Sequence, residues 1–113
     1  MVTVEKLKGF GAETEKGLAR CANNETLYLR LVTIVMNELT SDALGEALKK
    51  GDLDKAFEIA HKLKGGVNNL ALAPIAAPLG ELTDLLRNKT PGDYDALHAQ
   101  IVSKTNELVE LMK

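Results

Sequence analysis

Residues 53–70 read LDKAFEIAHKLKGGVNNL, and this stretch decides the fold. Apolar side chains return every third or fourth position over about five turns, which predicts one long helix with a buried stripe. The stripe consists of Leu53, Ala56, Phe57, Ala60, Leu63, Val67 and Leu70. Gly65 and Gly66 lie inside the stretch, although each glycine costs a helix about 1 kcal/mol relative to alanine. Because the stripe continues beyond both glycines, we predict that the helix continues to about Leu70.

Three further segments show the same spacing, which predicts four long helices over 24–39, 52–70, 74–88 and 93–112. Polar residues lie where an N-cap is expected, namely the asparagine pair at 23–24, Asp52 and Asp93. The apolar faces of the other three helices are Leu27, Leu31, Ile34, Val35 and Leu39 in the first, Ile75, Leu79, Leu82, Leu85 and Leu86 in the third, and Tyr94, Leu97, Ile101, Leu108 and Leu111 in the fourth.

Shorter helical segments are predicted over 12–20 and from the polar run at 40–42 to Lys50. No strand-like alternation of useful length occurs in the sequence, and short connections favour antiparallel neighbours. We therefore predict a single domain over 1–113 in the all-α class. Its architecture would be an antiparallel up-down four-helix bundle with additional short N-terminal helices.

The chain has 113 residues, of which 45% are hydrophobic and 27% charged, an ordinary balance for one globular domain. Its net charge of −2 lacks the basic excess of a nucleic-acid-binding protein. No run approaches the ~20 apolar residues of a membrane span, and residues 1–11 lack the apolar stretch of a signal peptide. Cys21, the single cysteine, is expected to be buried rather than reactive. A cytoplasmic domain without a membrane or nucleic-acid partner is the expectation.

The outer face of the 52–70 helix carries the residues with chemical potential. At 100° per residue, His61 lies about 120° from the centre of the apolar stripe, which predicts an exposed imidazole. Lys64 follows at i+3, Gly65 at i+4 and Asn68 at i+7, while Phe57 lies at i−4 on the edge of the stripe. A nearby cation and a missing side chain suit a histidine that meets a large anionic or phosphorylated partner.

Two other interpretations remain open on the residues alone. His61 could be an ordinary solvated histidine, with Gly65 and Gly66 ending the helix. Glu58 and His61 also have the Glu-x-x-His spacing of metal-binding or haem-binding bundles, although a second such motif is missing. His98 has no glycine or cation beside it and is predicted to be a surface or boundary residue.

The run AHKLKGGVNNL, residues 60–70, resembles the signature of histidine-containing phosphotransfer (Hpt) domains, His-x-Leu-Lys-Gly followed by Asn-Leu-Gly. The stretches over 23–38, 47–65 and 79–88 are also similar to this family, so that the resemblance extends from about Phe10 to the C-terminus. Ala71 departs from the pattern, because the family usually has a glycine there that ends the helix. The matching positions are His61, Leu63, Lys64, Gly65, Asn69 and Leu70.

The resemblance implies that the chain carries a phosphoryl group between aspartates of receiver domains. His61 would accept the group on Nε2, and Lys64 would stabilise its charge. Gly65 would leave room for the partner's loops. The candidates for docking the partner are Gly65, Lys62, Asn68 and Phe57.

The partners that the resemblance implies are response-regulator receiver domains and a hybrid sensor histidine kinase. Such a domain is a phosphocarrier rather than an enzyme, and Mg²⁺ would be held by the receiver domain rather than by this chain. No cofactor and no metal ligand are expected here, and a monomer is expected. An alternative of a different class is an adaptor bundle that binds receiver domains without transferring phosphate.

Overall fold

A computed structural model of the chain describes residues 2–113. Within these residues there are seven α-helices and no strand, which confirms the predicted all-helical fold. The four long helices begin and end within one residue of the predicted bounds. The helices are α1 (Val4–Phe10), α2 (Thr14–Arg20), α3 (Glu25–Leu39), α4 (Ala43–Lys49), α5 (Leu53–Asn69), α6 (Ala73–Arg87) and α7 (Tyr94–Leu111).

Helices α3, α5, α6 and α7 form a closed four-helix bundle. Helix α5 packs against α3 and α6, and α7 completes the ring by packing against α6 and α3. An ion pair of 3.2 Å between Lys89 Nζ and Asp54 Oδ1 brings the end of α6 beside the start of α5, as an antiparallel pair requires. The short helices lie outside this ring, α1 against α7 and α4 against both α5 and α7.

The predicted N-caps are confirmed, and of the pair at 23–24 it is Asn24 that caps α3. The Asn24 side chain accepts a hydrogen bond from the backbone N–H of Leu27 at 3.0 Å. The Asp52 side chain accepts from the N–H of Lys55 at 3.1 Å, and the Asp93 side chain accepts from the N–H of Ala96 at 2.9 Å. Each cap satisfies one of the N–H groups that the first turn of a helix leaves without a partner.

The predicted stripe of α5 lies in the core of the bundle. Ala56, Ala60 and Val67 are fully buried, and Leu63 and Leu70 are nearly so. Burying a side chain such as Leu or Val stabilises a fold by about 1.5–3 kcal/mol. This burial continues past both glycines, and α5 runs through them without a break to Asn69.

The predicted apolar face of α3 is wrong at two of its five positions. Leu27 and Ile34 were predicted to lie on the apolar face, but they are 37% and 47% exposed. Val35 is buried as predicted, and Leu31 and Leu39 pack partly buried against the core, but the centre of the buried face shifts to Tyr28 and Val32. The helix carries apolar residues around most of its circumference, so periodicity alone does not select the side that meets the bundle.

The end of α7 also differs from the prediction. Leu111 is 38% exposed, whereas Met112 is buried. Met112 follows the buried Leu108 by four residues, which places both on the same side of the helix. Leu111 lies on a neighbouring side of α7, in an open groove that Gly9 and Phe10 of α1 also line.

Helix α5 ends in a left-handed turn centred on Ala71, which has a φ of 57°. The N–H of Leu72 donates to the Val67 carbonyl at 3.1 Å, and the N–H of Ala71 donates to the Asn68 carbonyl at 3.0 Å. These two bonds make a Schellman motif, in which glycine is the usual left-handed residue. The turn therefore forms with alanine at the position where the family that this sequence resembles usually has glycine.

Residues near the N-terminus hold the last carbonyls of α5. The Tyr28 hydroxyl donates to the Leu70 carbonyl at 3.0 Å. The Arg20 guanidinium donates to the carbonyls of Asn68 and Asn69, the latter at 3.3 Å. A cation at a helix C-terminus also interacts favourably with the helix dipole. Helices α2 and α3 thus fix the end of α5 in place.

Gly17 is required for this attachment. A Cβ at Gly17 would lie 2.8 Å from the Leu70 carbonyl oxygen, closer than such atoms approach. The N–H of Glu13, at the start of α2, donates to the Ala71 carbonyl at 2.9 Å. Helix α2 therefore meets the end of α5 by direct backbone contact.

Ala71→Gly is predicted to stabilise the protein by about 0.5–1 kcal/mol. The left-handed conformation costs an L-residue about 1–2 kcal/mol, and loss of one buried methyl group offsets part of the gain. Ala99→Gly, at an exposed position inside α7, is the control and should destabilise by about 1 kcal/mol. Urea unfolding measures both values. A loss of stability in Ala71→Gly equal to that in Ala99→Gly would contradict the strain at Ala71.

Stability should fall at high pH because of Tyr28. Burial raises the pKa of the Tyr28 phenol above 10.0, and repulsion from the neighbouring Cys21 raises it further. The folded state keeps this proton, so the contribution is complete below the pKa of the unfolded chain and is lost as the pH rises through the folded pKa. Above about pH 10 the free energy of unfolding should fall more steeply for the wild type than for Tyr28→Phe.

Unfolding titrations over a series of alkaline pH values measure these slopes. Tyr94→Phe removes a hydroxyl that bonds the Thr90 carbonyl at 2.6 Å on the exposed side of the bundle, and it is the matched control. It should keep the wild-type slope. Parallel slopes for the wild type and Tyr28→Phe would show that the buried phenol has no part in the pH dependence.

Candidate functional site

His61 lies on the outer face of α5 with its side chain exposed. Ala60 and Leu63, on either side of it along the chain, are buried in the core and fix the backbone that carries the imidazole. Among residues 2–113, no protein group forms a hydrogen bond with either ring nitrogen. Both nitrogens therefore face solvent on a rigid helix.

An aromatic ring supports the imidazole from the preceding turn. The Phe57 and His61 ring centroids are 5.5 Å apart, with an interplanar angle of 20°, which is a stacked arrangement. Phe57 is half-buried at the edge of the core. The sequence predicted it as a docking residue, and the structure additionally brings it into contact with the histidine.

Arg87, in the last turn of α6, was missed by the sequence analysis. Its Cζ lies 5.7 Å from the Phe57 ring centroid, within the range of a cation–π contact. The short connection between α5 and α6 was the available signal, because it places the end of α6 beside the start of α5. Which residue of α6 meets Phe57 depends on the register of the two helices.

Lys64, Gly65 and Asn68 surround the imidazole on the same side of α5. At 100° per residue they lie about 60°, 40° and 20° around the helix from His61. Lys64 is half-buried, and Gly65 and Asn68 are exposed. Lys62 is also exposed but lies about 100° from His61, on a neighbouring face.

The positive charge of this surface is not neutralised within the described part of the chain. Neither Lys62 nor Lys64 forms an ion pair with any carboxylate of residues 2–113, where the five salt bridges involve other cations. An ammonium group without a carboxylate partner is free to bind an incoming anion. The site can thus attract a phosphorylated group to the exposed imidazole.

The two glycines of α5 have different surroundings. A Cβ at Gly66 would lie 3.0 Å from Val35 Cγ2, so close packing of α3 on α5 explains this glycine. A Cβ at Gly65 would meet nothing within 4 Å. Folding therefore does not require glycine at position 65, although the helix is weakened by it.

The family model for the Hpt domain matches residues 30–112. The chain belongs to the Hpt domain family. The family acts in phosphotransfer in two-component signalling. The match begins within α3, so α1 and α2 of this Hpt domain lie outside it. No curated protein and no solved structure gives a significant match to the chain.

The remaining candidate residues lie away from this surface. His98 is half-buried between α4 and α7, where a Cβ on Gly45 would lie 3.0 Å from its Cε1, in line with the prediction of a boundary residue. Cys21 is buried, as predicted. Within residues 2–113, no group of three or more His, Cys, Asp or Glu side chains is placed to hold a metal ion.

Across residues 2–113, no helix combines the length and the apolar character needed to cross a bilayer.

Gly65→Ala is predicted to raise the free energy of unfolding by about 1 kcal/mol, because alanine fits the open space and favours the helix. Gly80→Ala, at an equally open position inside α6, should give a similar gain. Gly66→Ala should gain less or lose stability, because Val35 must move. Chemical denaturation measures all three variants. If Gly65→Ala lowered the free energy of unfolding, the fold itself would require glycine at this position.

Proposed function

We propose that this Hpt domain is a phosphocarrier whose acceptor is Nε2 of His61. It takes a phosphoryl group from the aspartyl phosphate of one receiver domain and passes it to an aspartate of another. The observation that supports this most strongly is the exposed, unbonded imidazole on a core-anchored helix, with Lys64 and Gly65 at the family's spacing. Family membership supports the general class of reaction.

The transfer exchanges one bond to phosphorus for another. The lone pair of Nε2 attacks phosphorus, the N–P bond forms, and the O–P bond of the acyl phosphate breaks. The aspartate carboxylate leaves with the bonding electron pair, and Nδ1 keeps its proton. The second transfer reverses these changes on a different receiver domain. Such a reaction depends on alignment and charge neutralisation rather than on a protein acid or base.

Lys64 supplies the charge neutralisation from this chain. Its ammonium group lies one turn from His61 and has no carboxylate partner among residues 2–113. A hydrogen bond from an ammonium to a phosphoryl oxygen is charge-assisted and about twice as strong as a neutral one. Mg²⁺ and its acidic ligands come from the receiver domain, so this chain needs no cofactor of its own.

Gly65 gives the receiver domain access to the imidazole. A Cβ at this position would meet no other side chain of residues 2–113 within 4 Å, and the partner's active-site loops would occupy this space. Asn68 and Phe57 border this contact on the same side of α5, and Lys62 contributes charge on the neighbouring face. The partners are response-regulator receiver domains and a hybrid sensor histidine kinase.

A phosphorylated receiver domain should label the wild type, and ATP alone should not. His61→Gln should abolish the labelling, because it removes the nucleophile while keeping a polar side chain. His98→Gln is the control and should be labelled at the wild-type rate. The measurement is transfer of radiolabelled phosphate from a panel of purified receiver domains. Label that survives in His61→Gln would refute the proposal, and binding without label would indicate an adaptor instead.

The effect of Gly65 on the transfer rate can be separated from its effect on the stability of the protein. Gly65→Ala should slow transfer by about tenfold or more, because a methyl group displaces the approaching phosphoryl donor. Gly80→Ala gains similar stability without touching the site and should transfer at the wild-type rate. Rates from a rapid-quench time course with one receiver domain make the comparison. Equal transfer rates in Gly65→Ala and Gly80→Ala would contradict the role of Gly65 in giving the receiver domain access to His61.

A further inference from the structure

Three side chains from two helices form a continuous stack that ends on the acceptor ring. It consists of Arg87 on α6 and of Phe57 and His61 on α5. We propose that Arg87 is a positioning residue, which holds the Phe57 ring and through it the orientation of the His61 imidazole. This inference rests on the proposed role of His61 as the phosphoryl acceptor.

The geometry of the stack supports a mechanical link. Phe57 precedes His61 by four residues, so both side chains leave α5 on adjoining positions of one face. Their centroid separation of 5.5 Å lies within the range of favourable aromatic pairs. The Arg87 guanidinium carbon lies 5.7 Å from the same Phe57 ring, so one phenyl ring contacts both the cation and the imidazole.

Arg87 is itself held by its own helix. Its Nη1 donates to Asp84 Oδ1 at 2.9 Å, one turn earlier on α6. This ion pair orients the guanidinium while leaving the Arg87 side chain 47% exposed. The half-buried Phe57 ring therefore contacts a group that is held on a second helix.

An exposed histidine without a hydrogen bond is free to change rotamer. Each rotamer that turns Nε2 away from the partner reduces the fraction of molecules ready for in-line attack. Binding must then restrict the imidazole to one rotamer, which costs conformational entropy. Stacking on Phe57 restricts the imidazole, and Arg87 restricts Phe57. Arg87 thus acts on the acceptor through the ring, without contact to the phosphoryl group.

The ring-current shift that Phe57 imposes on the Hδ2 and Hε1 protons of His61 tests this link in the unphosphorylated protein. Arg87→Gln should reduce the shift, because a freed Phe57 ring moves. Arg87→Lys should restore part of it, since an ammonium also binds the ring face. Lys104→Gln removes an exposed cation from another i,i+3 ion pair, with Glu107 on α7, and should leave the shift unchanged. An unchanged shift in Arg87→Gln would overturn the proposal.

Transfer rates distinguish positioning from a direct action on phosphate. Arg87→Gln should slow transfer from a phosphorylated receiver domain about two- to fivefold, the size of an exposed cation–π contact. In a Phe57→Leu background the same change should have no further effect, because the ring that transmits it is missing. Equal slowing in both backgrounds would mean that Arg87 contacts the phosphoryl group, which contradicts the proposal.

The two experiments also separate this inference from the proposed function. If the wild type accepts phosphate and Arg87→Gln changes neither rate nor shift, the positioning role fails and the phosphocarrier remains. If the wild type accepts no phosphate, the proposed function fails, and the ring-current shift still decides whether Arg87 holds the ring. Unfolding curves of each variant check that the bundle is intact.

Discussion

Burial of one apolar stripe on α5 is the constraint on which the rest of the structure depends. The stripe meets α3 and α6 and lies at the centre of the bundle, so the rotation of α5 about its own axis is fixed. Turning the helix far enough to bury His61 would bring Ala60 and Val67 into water. The imidazole is therefore exposed because the opposite face is buried, and its position does not depend on any hydrogen bond of its own.

The far end of the same helix is fixed by residues outside the family match. Arg20, Tyr28 and the backbone of Glu13 supply hydrogen bonds to the last carbonyls of α5 and of the turn that follows. A helix end without such partners would fray. In this Hpt domain the N-terminal segment thus completes the helix that carries the acceptor, and the turn at Ala71 forms although its residue is not the preferred one.

The parts predicted correctly from sequence are those that one helix decides alone. The stripe of α5, the exposure of His61 and the caps at Asn24, Asp52 and Asp93 follow from spacing within a single segment. The predicted face of α3 was wrong at Leu27 and Ile34, because apolar residues surround this helix and tertiary packing decides which of them are buried. Arg87 was missed for a related reason, because its contact with Phe57 depends on the register between two helices.

Phosphorus NMR shows directly whether Nε2 of His61 accepts the phosphoryl group. After phosphorylation by a receiver domain, a proton–phosphorus correlation reads three-bond couplings across the new N–P bond. One phosphoramidate signal coupled to both Hδ2 and Hε1 of His61 is expected, because both protons are three bonds from a phosphorus on Nε2. A signal coupled to Hε1 alone, a signal on His98, or phosphorylation without an N–P signal would contradict acceptance at Nε2.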